Sequence, residues 1–230
     1  MAAPLAARAR LLPLYAFHLE IARAPWVTQE PLIAEMRLQW WRDAVADLRP
    51  RPHEVAAPLQ ALIAEKHLPI GVFDQLIAAR RWDIYGEPHD SEAALKTYLE
   101  ATGAGLMWVS ALALGEGLLA EASVRAYGWA SALANYFRAV PELLARGKQP
   151  LRDASDAGLR ALAEEGLRRL EFSHSERIGA GRPALLAGWQ AKTLLRQVQA
   201  EPQRVLEGAM GLSEFSKRRH LLWQAFSGRY

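Results

Sequence analysis

The 230-residue chain contains no cysteine. Disulfides and thiolate metal sites are thereby excluded, and a reducing compartment suits the protein. No apolar run reaches the roughly 18–20 residues that a bilayer span needs. Alternating strand patterns of useful length are missing, as are low-complexity linkers and fixed-period repeats. A dispersed excess of charge is missing too. The formal net charge is +3, but residues 213–230 hold Lys217, Arg218, Arg219 and Arg229 against Glu214 alone, and the first 212 residues balance 24 basic against 24 acidic. Nucleic-acid binders spread surplus Lys and Arg along a face, so no nucleic-acid partner is expected.

What is present is helix. Hydrophobic residues make up 51% of the chain, enough to fill the core of one large domain spanning 1–230. Helical patterning predicts segments at 4–23, 31–48, 54–66, 70–85, 91–116, 119–146, 153–171, 183–199 and 213–227. Thr28 with Glu30 and Pro31 marks one start, Asp90 with Ser91 another, and Ser155 or Asp153 a third, because short polar side chains satisfy the orphan N–H groups of a first turn. Gly181 and Pro183 mark a further start. The two prolines of RPRPHE at 49–54 close the second helix. The stretches LMWVSALAL at 106–114 and GWASALANYF at 128–137 are apolar nearly all round, which places them in the middle of a multi-helix bundle. The fold class is all-α, a single-domain multi-helix bundle. MAAPLAARARLLPLYAF is Arg-bearing and acid-poor like a targeting segment, yet the helical pattern runs straight through it. The expected location is cytoplasmic.

Candidate chemistry is sparse. Histidines 18, 53, 67, 89, 174 and 220 form no i,i+3 or i,i+4 metal pair, and each reads as a surface or turn residue. Gly103 and Gly105 make a G-x-G inside a helix rather than after a strand, so close helix packing explains them better than a dinucleotide loop. Two acidic pairs stack at i,i+4, Asp43 with Asp47 and Asp83 with Glu87, a spacing that could share a magnesium ion. Gly86 and Pro88 are expected to end the helix before Glu87 reaches Asp83. Near the C-terminus, FSKRRHLLWQAF joins Lys217, Arg218 and Arg219 to Trp223 and other apolar side chains, a mixture suited either to anionic lipid headgroups or to docking on the bundle.

Five segments then carry a resemblance. LYAF at 14–17, MRLQWWRDAV at 36–45, RRWDIYGEP at 80–88, YLEATGAGLMWVSALALG at 98–115 and GWASALANYFRAVPELLARGK at 128–148 occur in an order and spacing that resemble the squalene/phytoene synthase family, with a looser match at 182–205. The resemblance implies an all-α bundle of the isoprenoid synthase type that joins two prenyl diphosphates head to head. Two aspartate-rich helices would face each other and hold the diphosphate through magnesium, because a departing diphosphate needs its charge neutralised.

At the positions where the family keeps those aspartates, this chain has Ala22 and Trp26 in the first helix and Ala139 and Leu143 in the second. Asn135, Arg138, Glu142, Arg146 and Gly147 still match. The LYAF and RLQWWRDAV segments look closer to a branch with eroded aspartates, which includes a mitochondrial assembly factor for respiratory complex I, than to the carotenoid enzymes. The resemblance implies a protein without diphosphate-ionising activity, holding an isoprenoid or lipid, with a protein partner and a place at the inner membrane surface. Tyr15, Phe17, Arg37, Trp40, Asp83, Met107, Asn135, Arg138, Glu142 and Arg146 are the candidate cavity or ligand-binding residues. No confident catalytic residue, no metal site and no cofactor are expected. The alternative is an active prenyl transferase whose magnesium is held by displaced carboxylates, Asp43, Asp47 and Asp83.

Overall fold

In the computed structural model, the described residues are 3–213, apart from 29, 48, 50, 87, 88 and 90, together with residue 222. They contain no strand. Eleven α-helices follow one another among them: α1 (Leu5–Arg23), α2 (Pro31–Ala46), α3 (Ala56–Lys66), α4 (Ile70–Ala79), α5 (Arg81–Tyr85), α6 (Glu92–Leu99), α7 (Gly105–Ala113), α8 (Glu121–Ala145), α9 (Asp156–Phe172), α10 (Arg182–Leu185) and α11 (Ala191–Ala200). The expected helix at 213–227, with Lys217, Arg218, Arg219 and Trp223, lies outside the described residues.

The central helix is α8, which packs on α7, α9 and α11. Trp129, Leu133 and Phe137 lie fully buried along it, with Trp108 of α7 beside them in the core. Phe17 of α1 meets Trp41 of α2 and Phe73 of α4 at ring separations of 5.4 and 5.7 Å, tying the N-terminal helices into the same core. Both sequence segments that are apolar all round are therefore central, as their composition requires.

Local caps follow the residue types. Ser91 accepts from the Ala94 amide and Ser155 from the Gly158 amide. Thr28 instead accepts from the Glu30 amide, and Glu30 itself precedes Pro31 at the first position of α2. Gly86 ends α5 in the left-handed conformation at φ 63°, ahead of the position of Glu87.

Three expected helices are broken. The segment expected at 70–85 turns at Arg80, which lets that side chain leave the line of α4 and reach α1 and α6. The segment at 91–116 contains a π-helical turn, Glu100–Ala104, between α6 and α7. That turn packs directly on α8. A Cβ on Gly128 of α8 would stand 2.8 Å from the Ala104 Cα, so the backbones cross closer than side chains would allow. The segment at 183–199 breaks around Gly188, which presses its bare Cα onto Ser131 and Tyr127 of α8.

Candidate functional site

A cavity of about 280 Å³ opens between α1, α6, α7 and α8. Its wall is mainly apolar or backbone: Leu99 of α6, Gly103 of the π turn, Leu106 and Met107 of α7, Gly128, Ala132 and Ala139 of α8, and Ala187. Asn135 and Ala139 line it and are exposed, so the cavity opens to solvent along that edge of α8. The volume sits near the lower bound of small-molecule pockets.

One part of the wall is polar, and residues from α1, the α4–α5 junction, α5 and α6 build it. Arg80 donates to Asp83 at 2.9 Å and to the Tyr98 hydroxyl at 2.8 Å, and Tyr98 in turn donates to Asp83 at 3.0 Å. The side chains of Arg80 and Asp83 are only 11% and 7% exposed, so this is a buried ion pair with a phenol completing it. His18 of α1 stands 3.3 Å from the far nitrogen of the Arg80 guanidinium. Lys148 donates to the Asp83 carbonyl from behind. On α8, Tyr136 donates to the Pro150 carbonyl at 2.7 Å, and Trp82 stacks on His89 at 4.3 Å.

The electrostatics follow from burial. Desolvation, with help from Arg80, lowers the His18 pKa to about 3. Burial pushes the Tyr98 and Tyr136 phenols up, and Tyr15 as well. Burial works to lower the Arg80 pKa, but Tyr98 and Asp83 hold it above the ordinary arginine value. Lys148 is pulled down, chiefly by burial. The His18, Tyr98, Tyr136 and Arg80 shifts lead away from the neutral range that general acid–base work favours, and Lys148 alone among these groups moves toward it. The wall can bind and orient a molecule.

Past His18 and Ala139 of the lining, the ends of α1 and α8, here the mouth, carry residues that lie outside the lining and differ in character. Trp26, 39% exposed, follows the end of α1, and Arg146 follows the end of α8. The two meet: the Arg146 guanidinium lies 4.5 Å from the Trp26 ring centroid and the Lys148 ammonium 4.8 Å. Glu142 is bound to Arg146 at 2.6 Å. Ala22 is half-buried, Ala139 exposed, and Leu143 packed into the core at 6% exposure. This donor set does not fit magnesium. A hard cation needs several oxygen ligands, whereas the mouth presents methyl groups, an indole, one carboxylate already paired, and two cations.

The other candidate residues separate cleanly. Met107 and Asn135 line the cavity, and Asp83 holds Arg80 there. Phe17 is fully buried in the core, and Trp40 packs on Trp41 and His53 with Arg51 over its ring. Arg37 and Arg138 are exposed and absent from the lining, and Tyr15 is half-buried against the core. Asp43 accepts from Gln39, Asp47 caps the end of α2 and faces Arg49 and Arg51, and Asp83 is held by Arg80. Among the described residues no three or more acidic or histidine side chains form a group able to hold a metal ion.

Reading all the histidines as surface or turn residues fails for His18, which is half-buried on α1 with its Nδ1 closed off from solvent, while His89 is buried in the connection between α5 and α6. His18 sits on an apolar helix with nothing in the neighbouring sequence to announce a partner, since Arg80 is 62 residues away. Arg80, Tyr98 and Tyr136 are likewise long-range partners. The one local signal was Arg80 three residues before Asp83, which puts the two on one helical face.

Comparison with solved structures gives the same architecture. A dehydrosqualene synthase in complex with a ligand superposes with a TM-score of 0.80 at 14% identity, covering 99% of this chain and 88% of that one. The squalene synthase HpnC from Alicyclobacillus acidocaldarius gives 0.51 at 15% identity, covering 92% and 98%. At such identities the likeness concerns the fold. No protein of curated function matches the sequence. The squalene/phytoene synthase family model, however, matches residues 1–159, well over half of the chain. The all-helical fold, the five ordered segments and this match agree, and the chain belongs to the squalene/phytoene synthase family.

Proposed function

We propose that this protein has kept the family's cavity and lost its diphosphate-ionising chemistry. One observation carries the reading: where the family's aspartates are expected, the mouth holds Ala22, Trp26, Ala139 and Leu143, and Trp26 lies beneath Arg146 and Lys148. A mouth of this kind repels the cation that would neutralise a departing diphosphate. Each 1.4 kcal/mol of lost transition-state stabilisation is about tenfold in rate, so losing the metal ligands removes many orders of magnitude. The apolar cavity remains, and in this reading it holds an isoprenoid or lipid without any cofactor.

The same reading gives the protein a role in assembling a respiratory complex at a membrane surface, on the strength of LYAF and RLQWWRDAV, which resemble the complex I assembly branch. Supporting it, Trp26, Val27, Leu32, Ile33 and Met36 are exposed at the α1–α2 connection and the first turns of α2. Lys217, Arg218, Arg219 and Trp223 would add a basic, aromatic contact for anionic headgroups. No helix among the described residues is long and apolar enough to cross a membrane. Attachment would therefore be peripheral to the inner membrane, from the cytoplasmic side.

The rival is magnesium-dependent head-to-head prenyl transfer by Asp43, Asp47 and Asp83. Against it, each of the three is engaged with a different partner. The deciding experiment is turnover of farnesyl and geranylgeranyl diphosphate by folded, purified protein, with magnesium and then with EDTA. No product in either condition is expected. Product that vanishes on chelation would overturn the reading and point to the displaced carboxylates.

A further inference from the structure

Helix α1 is apolar on two opposite sides, and the fold uses only one of them. Leu11, Leu14, Phe17 and Ile21 face the core. On the other side Leu5, Ala9, Leu12, Ala16 and Leu19 recur at alternating steps of four and three residues, and Arg23 continues the series at the helix end. That spacing sets them along one seam, the a and d positions of a heptad repeat. Leu5 is 80% exposed, Leu12 47% and Leu19 54%, while Ala9 is exposed and Ala16 half-buried. Pro13 stands beside the seam rather than in it, and α1 continues through it.

The order of side chains along the seam specifies the partner. Leucine alternates with alanine, and a second α1 laid antiparallel matches that order to itself. Leu5 then faces Arg23 of the second copy, Ala9 faces Leu19 and Leu12 faces Ala16, and the same layers repeat in reverse. Large side chains sit over small ones, which is how facing surfaces interdigitate without voids. A parallel pair would stack leucine on leucine and alanine on alanine, leaving gaps at every second layer. Arg23 falls at the open end of the seam, where its charge stays in water. A helix of 19 residues is about 28 Å long. Pairing two over that length removes on the order of 1,000 Å² from water, the lower bound of a specific interface, so the pairing is reversible. A lipid surface fits less well: acyl chains do not read the order of leucine and alanine, and Glu20, one turn beyond Ala16 at the seam's edge, would be brought toward anionic headgroups.

We propose that the outer face of α1 is a self-association surface, through which two copies of this chain pair antiparallel, leucine over alanine, as a reversible dimer. The inference is independent of what the cavity holds.

The test is sedimentation velocity of the full chain across the micromolar range, where a monomer–dimer equilibrium is expected. Leu12→Arg and Leu19→Arg should each weaken it by about tenfold or more, because each drives a charge into the paired seam. Both positions are about half exposed in the single chain, so the helical circular dichroism should not change. The chain has no cysteine, and mild oxidation can therefore read the register. Leu12→Cys mixed with Ala16→Cys should cross-link more readily than Leu12→Cys alone. Should an arginine variant unfold, the concentration dependence of the native chain and the cysteine mixture still decide. A chain that stays monomeric across the range would overturn the proposal. So would a dimer that both arginine variants leave intact, which would place the interface elsewhere. Faster cross-linking of Leu12→Cys with itself would overturn the antiparallel pairing. A native monomer that sediments with phosphatidylglycerol vesicles, and no longer does so as Leu12→Arg, would overturn the proposal in favour of a lipid surface.

Discussion

Arg80 and Asp83 form an ion pair 2.9 Å long inside the bundle, three residues apart and both largely withdrawn from water. The pair sits at the break between α4 and α5, and it fixes where α1 and α6 can stand through His18 and Tyr98. Breaking a buried pair from one side leaves an uncompensated charge, at a cost of about 3–5 kcal/mol. Asp83→Ala should therefore destabilise the protein by about that much in urea denaturation, with no change in the m-value. Replacing both residues together, Arg80→Met with Asp83→Leu, should cost clearly less than Asp83→Ala alone. A double variant as unstable as the single one would show that the ion pair is not what holds this junction.

His18 makes a pH prediction with a definite sign. Its folded pKa is lowered to about 3 from the ordinary 6.5. Between those values the unfolded chain binds a proton that the folded chain refuses, so stability falls as pH falls through that window. The contribution of neutral His18 is complete above about pH 6.5 and erodes at up to about 1.4 kcal/mol per pH unit below it. Urea unfolding at pH 7, 6, 5 and 4 should show His18→Phe with a shallower decline than the native chain, by close to one proton. Parallel slopes would place His18 in a wetter setting than its neighbours imply.

The mouth can be tested by restoring what the family keeps. Ala22→Asp, Trp26→Asp and Ala139→Asp together put three carboxylates where the native chain has methyl groups and an indole. Ala139 and Trp26 are exposed and Ala22 half-buried, so the substitutions are tolerable, unlike an aspartate at the buried Leu143. The triple variant is expected to gain a magnesium-dependent rise in melting temperature, which mass action makes about 2.7 kcal/mol of stabilisation at a hundredfold excess over Kd. The native chain should show no such rise, because Arg146 and Lys148 crowd Trp26. Equal magnesium responses in both proteins would mean that the cation binds away from this mouth.

Much of this architecture could be read before the coordinates. Helical periodicity located the elements, and Ser91 and Ser155 cap where their chemistry suggests. Acids at positions 22, 26, 139 and 143 are absent by inspection. The breaks were not legible, because each depends on a remote neighbour: Gly188 bends where Ser131 approaches, and the π turn lies where Gly128 admits it. His18 and Arg80 were hidden for the same reason. A lone histidine on an apolar helix and an arginine in a basic pair look like surface residues until the fold brings them within 3.3 Å. Asp83 alone was visible, because its acidic spacing drew notice, though its real partner is Arg80 rather than Glu87.

The crossing of α8 with the π turn gives the last prediction, and it bears on the cavity itself. Gly128 lines the cavity and lets α8 approach the Ala104 backbone. A methyl there would stand 2.8 Å from the Ala104 Cα and 2.9 Å from the Met107 Cβ, closer than carbon atoms pack. The backbone must give, since no flexible side-chain end is available to move. Overpacking of this kind typically costs 1–3 kcal/mol. Alanine also favours helix over glycine by about 1 kcal/mol, which offsets part of the loss. Gly128→Ala should be net destabilised by about 0.5–2 kcal/mol, and it should bind cavity ligands more weakly because the wall has moved. Gly117→Ala is the control: its added methyl meets nothing within 4 Å, so stability and binding should stay near native. If Gly128→Ala proved more stable than the native chain, the close crossing would not be limiting and the π turn would need another cause.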